Sequence, residues 1–198
     1  AETPAPKEEV TPKPAETPKE EVAPAAKPAE KPVTKDLVET PDVNHLENAT
    51  ATASNHEANT QYTAEKAIDG KPDTRWATDQ NVEKPTIEFT LEKTTVIKHV
   101  EIDWDRRVRG EQNDPNIKSW NLYYAGQDDV NGSGAKEWKL AYQRTGTPLL
   151  DEKIDLKEAI QAKYLKLEIT DYQAGTMNWK NVGIQEIRAY SNIPDDSK

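Results

Sequence analysis

Cysteine is absent from the 198-residue chain, which excludes a disulfide scaffold, a thiolate-ligated metal centre and a cysteine nucleophile. The compartment stays open, because proteins exported by single-membrane bacteria and cytosolic proteins both tolerate that composition. Long apolar runs are missing as well. None approaches the roughly 18 residues that a membrane-spanning helix needs, and no signal peptide is recognisable in the sequence. Histidine is scarce: His45, His56 and His99 have no metal-ligand spacing, and His99 sits in the strand-like "VIKHVEI", where a partnered structural role is expected. Gly132-Ser133-Gly134 lacks the G-x-S-x-G spacing of a nucleophile elbow. Asp129, Asn131, Ser133 and Gly134 imitate the start of an EF-hand, but Leu140 stands where a bidentate glutamate is required.

Charge of one sign is in excess. The net charge is −10, which disfavours phosphate-rich partners, so neither nucleic acid nor an anionic membrane surface is expected to bind. The local basic cluster "DRRVRG" at 105–110 is the one exception. Carboxylates are so plentiful on such a surface that pairing alone identifies no glycosidase dyad.

Residues 1–40 contain no aromatic side chain and eight of the fourteen prolines. "PKEEV" occurs at 6–10 and 18–22, and "AETP" at 1–4 and 15–18. Recurrent proline removes amide donors and blocks helix in an otherwise Ala/Glu/Lys-rich stretch. The segment is therefore read as a disordered, solvated linker. Residues 41–192 form the folded module, and 193–198 begin a following linker. A long charged spacer of this kind suits a protein that reaches out from a cell wall.

From Leu46 onward the apolar pattern has period two. "PTIEFTLE" places Ile87, Phe89 and Leu91 on one side, and "KYLKLEIT" does the same with Leu165, Leu167 and Ile169. Similar segments lie near 46–53, 96–104, 117–125, 137–144, 151–155 and 182–190. Only "AEKAI" and "LKEAIQ" have helical character, one to two turns each. About eight short antiparallel strands without βα alternation predict an all-β sandwich. Trp104, Trp120 and Trp138 fall in strand patterns and are expected in its core.

The stretch "AEKAIDGKPDTRW", residues 64–76, raises a separate question. Its Asp69-Gly70 turn, followed by Pro72 and Thr74, gathers a carboxylate, a hydroxyl and backbone carbonyls in one tight loop. Two readings stand: a turn whose aspartate caps its own backbone, or a hard-oxygen site for Ca²⁺.

This stretch, together with "PTIEFTLEKTTVIKHVEIDW", "SWNLYYAG", "EWKLAY", "AKYLKLEI" and "VGIQEIRAY", resembles the discoidin or coagulation factor 5/8 type C domains. Among these it is most similar to the family 32 carbohydrate-binding modules of bacterial surface glycosidases. The likeness runs in order from about residue 46 to 191. It implies a jelly-roll β-sandwich with a structural calcium. The ion would take the carbonyls of Lys66, Lys71 and Gln185, the carboxylates of Asp69 and Glu186, and both oxygens of Thr74. Since Glu186 lies in the last strand, such a metal would clasp the two chain ends of the sandwich, with Trp76 opening the core beside it.

The resemblance also implies a sugar site. Galactose-binding members carry a histidine after the loop tryptophan and an aromatic three residues later, where this chain has Ala77 and Gln80. Arg107 matches the family's sugar-binding arginine, and Trp179 is the candidate aromatic of the last loop, with ligand stacking and core packing both open to it. Asn113, Asn116 and Glu57 are expected nearby as further hydrogen-bonding groups. The function implied is a non-catalytic module, monomeric and extracellular, that targets a secreted or wall-attached Gram-positive glycoside hydrolase to host or surface glycans. An endo-β-N-acetylglucosaminidase is the parent enzyme the resemblance suggests. The alternative is an adhesin-type protein-binding discoidin domain. Polar loops such as "EQNDPN" and "SNHEANTQ" argue against membrane insertion.

Overall fold

A computed structural model describes residues 43–105, 115–175 and 178–193; the linker expected over 1–40 lies outside them. Among the described residues there are seven strands: β1 (Thr50–Ala53), β2 (Trp76–Ala77), β3 (Thr86–Trp104), β4 (Ile117–Ala125), β5 (Lys139–Thr145), β6 (Asp151–Tyr172) and β7 (Gly183–Tyr190). Every pairing is antiparallel. The hydrogen-bonded order is β2-β7-β3-β6-β4-β5, with β1 added on β3. Among the described residues no helix is long and apolar enough to cross a membrane.

Two strands serve both layers of the sandwich. The first part of β3 pairs with β1 and with the second part of β6, which continues to β4 and β5. The second part of β3 pairs with the first part of β6 and with β7, which carries β2. Between the two parts the register slips twice, from Thr90↔Tyr164 to Thr95↔Ala162 and from Ile97↔Ile160 to His99↔Asp155. Extra residues thus bulge from β3 first and from β6 next, and bulges bend and twist a ladder. That corner folds one sheet into the jelly-roll sandwich.

The same corner explains two departures from the sequence pattern. The strands expected at 86–91 and 96–104 are one strand, as are those at 151–155 and 164–169, while the two-residue β2 carried no pattern of its own. "LKEAIQ" is not helical but part of β6. Leu156 and Ile160 are both buried at helix-like spacing, yet the spacing arises because Lys157, Glu158 and Ala159 form the exposed bulge between them. "AEKAI" does turn, as a single 3-10 turn over Ala64–Ala67.

The core is one cluster lined by Trp76, Phe89, Leu91, Ile102, Trp120 and Leu167, among others, all essentially inaccessible. Trp104 and Trp120 lie in it as expected, ring centroids 6.1 Å apart. Both indoles donate to Oε1 of Glu152, at 2.9 and 3.1 Å, and Arg144 pairs with Oε2 at 2.9 Å. Trp138 is different. It is half-buried beneath cations, with the Lys166 ammonium 4.5 Å and that of Lys136 5.6 Å from its ring centre. Its place just before β5 leaves it at the sheet surface, so strand-like alternation there did not signify core. His99 is buried and structural, its Nδ1 2.6 Å from Asp155 and its ring tilted against Tyr190.

Candidate functional site

The loop after the 3-10 turn folds around Asp69. Gly70 has φ +67, a conformation that favours glycine, and it turns the chain so that Asp69 Oδ1 accepts from Lys71 N at 3.1 Å and Thr74 Oγ1 at 2.6 Å. Thr74 Oγ1 also lies 3.0 Å from the Lys71 carbonyl. Lys66 approaches Asp69 through its ammonium, 3.3 Å from Oδ2. Across the fold, Gly70 N donates to Glu186 Oε2 at 3.1 Å, and Gln185 donates through Nε2 to the Pro72 carbonyl. The loop and the last strand are therefore joined, and the structure brings Lys66, Asp69, Lys71, Thr74, Gln185 and Glu186 to one place.

The electrostatics of this clasp are unequal. Burial raises the Asp69 carboxyl, but hydrogen bonds from Thr74 and Lys71 and the nearby Lys66 outweigh it and hold Asp69 below its usual range. Burial pushes Glu186 up to about 7; the Gly70 amide and Arg188 counter it, while the Asp69 and Asp103 carboxylates push further upward. A carboxyl only 7% exposed and crowded by other acids is poised for a cation. Among the described residues no group of three or more His, Cys, Asp or Glu side chains is arranged for a metal. Any ion at this clasp would depend on two carboxylates supplemented by hydroxyl and carbonyl oxygens, a hard donor set that fits calcium and not zinc. An open groove of about 680 Å³ runs beside it, lined by Asp69, Lys71, Asp103, Asp151, Glu186 and Arg188 among others.

A second polar region is formed by loops fastened together. Thr78 N donates to the Val182 carbonyl at 2.9 Å, and Asn81 N to that of Lys180 at 2.7 Å. Asp79 accepts from Asn55 Nδ2 and from Ala58 N, each at 3.0 Å. Trp179 stands on the loop between β6 and β7, 47% exposed. Its carbonyl accepts from Gly175 N at 3.0 Å, and Asn178, at φ 59, donates to the Gly175 carbonyl at 2.8 Å. The indole is therefore exposed, which decides against core packing.

The other candidates divide. Glu57 is partly exposed, with its amide bonded to Ala77 O at 2.8 Å. Asn116 is only 4% exposed. Its Nδ2 donates to Gln173 O at 3.2 Å and Asn181 O at 2.7 Å, the two flanks of the Trp179 loop. It fastens the flanks of that loop, and its Nδ2 is engaged there. Arg107 and Asn113 lie outside the described residues. Sequence reasoning passed over Asn55, Thr78, Asp79 and Asn181, which tie the loops together. For the first three the only signal was the density of short polar residues in "SNHE" and "TDQN"; Asn181 had none.

The F5/8 type C domain profile matches residues 50–184. The chain belongs to that family. No curated protein sequence matches it. Among solved structures, this F5/8 type C domain is similar to the family 32 carbohydrate-binding module of Streptococcus pneumoniae EndoD. The identity is 22% and the TM-score 0.61, over 76% of this chain and 100% of that one. It is also similar to a chitosan-binding module of a Paenibacillus sp. IK-5 chitosanase/glucanase, solved with chitotriose. There the identity is 21% and the TM-score 0.61, over 74% and 99% of the two chains. A third is the family 32 module of Clostridium perfringens NanJ in complex with galactose, at 19% identity and TM-score 0.56, over 74% and 96%. These likenesses show the fold of carbohydrate-binding modules. In this F5/8 type C domain Ala77 is fully buried in β2 against Gly183 and Gln80 is exposed, so neither offers a stacking ring.

One expected result follows for the clasp. Asp69→Ala removes the acceptor that organises Lys71 and Thr74. A chelator is expected to lower the melting temperature of the parent domain and to do so much less in this variant, read by thermal unfolding with and without chelator. An unchanged chelator response would place any calcium elsewhere.

Proposed function

We propose that this F5/8 type C domain is a non-catalytic carbohydrate-binding module that holds a structural calcium at Asp69 and Glu186. It would target a secreted or wall-attached glycoside hydrolase to host or surface glycans, acting as a monomer. The observation that carries this reading is Trp179, an exposed indole on a loop whose ends are pinned by Asn116 and Asn181. An aromatic face stacks on the C–H face of a pyranose. The shape of relatives that bind chitotriose and galactose supports it.

A shallow site of this kind is expected to bind a single sugar with a dissociation constant from millimolar to tens of micromolar, about −4 to −6 kcal/mol, with avidity supplying the rest. Trp179→Ala is expected to abolish glycan binding in NMR titrations while leaving the melting temperature within about 1 °C, since a surface ring contributes little to the core. Unfolding of that variant, or binding that survives it, would contradict the assignment.

A further inference from the structure

A groove of about 360 Å³ lies between the 81–84 loop and the end of β6, and its walls include Asn81, Glu83, Lys84, Thr170, Asp171 and Lys180. Lys180 directly follows Trp179 in the chain. Among the described residues none of those six side chains has a hydrogen-bond or ion-pair partner; the Lys180 ammonium lies 5.3 Å from the ring centre of Tyr172. Elsewhere in the loops such groups are engaged, as Asp79 is with Asn55 and Ala58. The groove itself is firmly built. Tyr172 donates through its hydroxyl to the Val82 carbonyl at 2.8 Å, and the Asn81 amide ties one wall to Lys180. Among the described residues four non-glycines have left-handed backbone. Three of them, Asn81, Lys84 and Asn178, belong to the two loops concerned, and such strain persists only where surrounding structure enforces it.

The chemistry of the lining selects a ligand. Two ammonium groups and two carboxylates cancel in charge, so an anion meets Glu83 and Asp171 and a cation meets Lys84 and Lys180. A hydroxyl both donates and accepts, so one such group is served by ammonium and carboxylate alike. We propose that this groove is a second sugar subsite. It would take the unit of a neutral oligosaccharide that follows the unit stacked on Trp179. The inference rests on the carbohydrate-binding reading above.

The test titrates the calcium-loaded domain by NMR with galactose and lactose, and with the monomer, dimer and trimer of N-acetylglucosamine. The parent is expected to bind the longer member of a series at least 10-fold more tightly than its monosaccharide, with the amides of Lys84, Asp171 and Lys180 shifting only for the longer sugars. The double variant Lys84→Ala, Asp171→Ala is expected to lose that gain and keep the monosaccharide affinity and the melting temperature. A length gain that survives the double variant, or no gain in the parent, overturns the subsite while leaving the Trp179 platform standing. Absence of binding to every sugar in both proteins overturns the carbohydrate reading and the subsite with it.

Discussion

In calcium-free buffer the melting temperature is expected to fall as pH rises from about 4.5 to about 7, and calcium is expected to abolish that fall. Burial among acids pushes Glu186 up from 4.5 to about 7. Between those values the folded chain binds a proton that the unfolded chain has released, so stability declines with rising pH. The contribution is complete below about 4.5 and lost by about 7, on the order of 3 kcal/mol at 1.36 kcal/mol per unit. Carboxyls such as Asp69 and Glu101, held below their usual range, act with the opposite sign and at lower pH. A cation bound at the clasp would take the place of the proton and add about 2.7 kcal/mol at 100 times its dissociation constant. Glu186→Gln is the control: it should flatten the pH profile of the metal-free domain and remove the calcium response. A flat profile in the parent would show that Glu186 titrates normally.

Glu152→Ala is expected to cost about 3–5 kcal/mol, the scale of breaking a buried charge pair by removing one partner. The alanine leaves two buried indole N–H groups without their acceptor and the largely buried Arg144, still bonded to the Lys118 and Thr147 carbonyls, without its counter-charge. Glu152→Gln keeps an oxygen for the indoles and loses the charge, so its cost should be smaller, about 1–3 kcal/mol. Urea unfolding of the three proteins measures both. Equal losses for the two variants would mean that the ion pair with Arg144, and not the indole bonds, sets the stability.

The strands were legible because alternation survives wherever one face is buried, as in Ile87, Phe89 and Leu91. The bulged corner was not, because three exposed residues between Leu156 and Ile160 reproduce a helical interval. The clasp was legible through its resemblance: Glu186 lies over a hundred residues from Asp69, and no local pattern links them. The exposure of Trp179 and the burial of Asn116 were not legible. An asparagine that bridges two backbone carbonyls looks the same in sequence as one that faces solvent. The groove at Lys84 and Asp171 escaped for a related reason, since its walls come from segments almost ninety residues apart that no local pattern links.

The central claim is that this domain recognises sugar through Trp179. The most direct measurement places the calcium-loaded domain and its Trp179→Ala variant on an array of host and microbial glycans, with immobilised proteins as controls and free sugar as competitor. The account predicts that the parent marks a subset of glycans, is displaced by the matching free sugar at millimolar concentration or below, and that the variant marks none. Binding of the parent to protein controls with no glycan marked would contradict it and favour the adhesin-type reading.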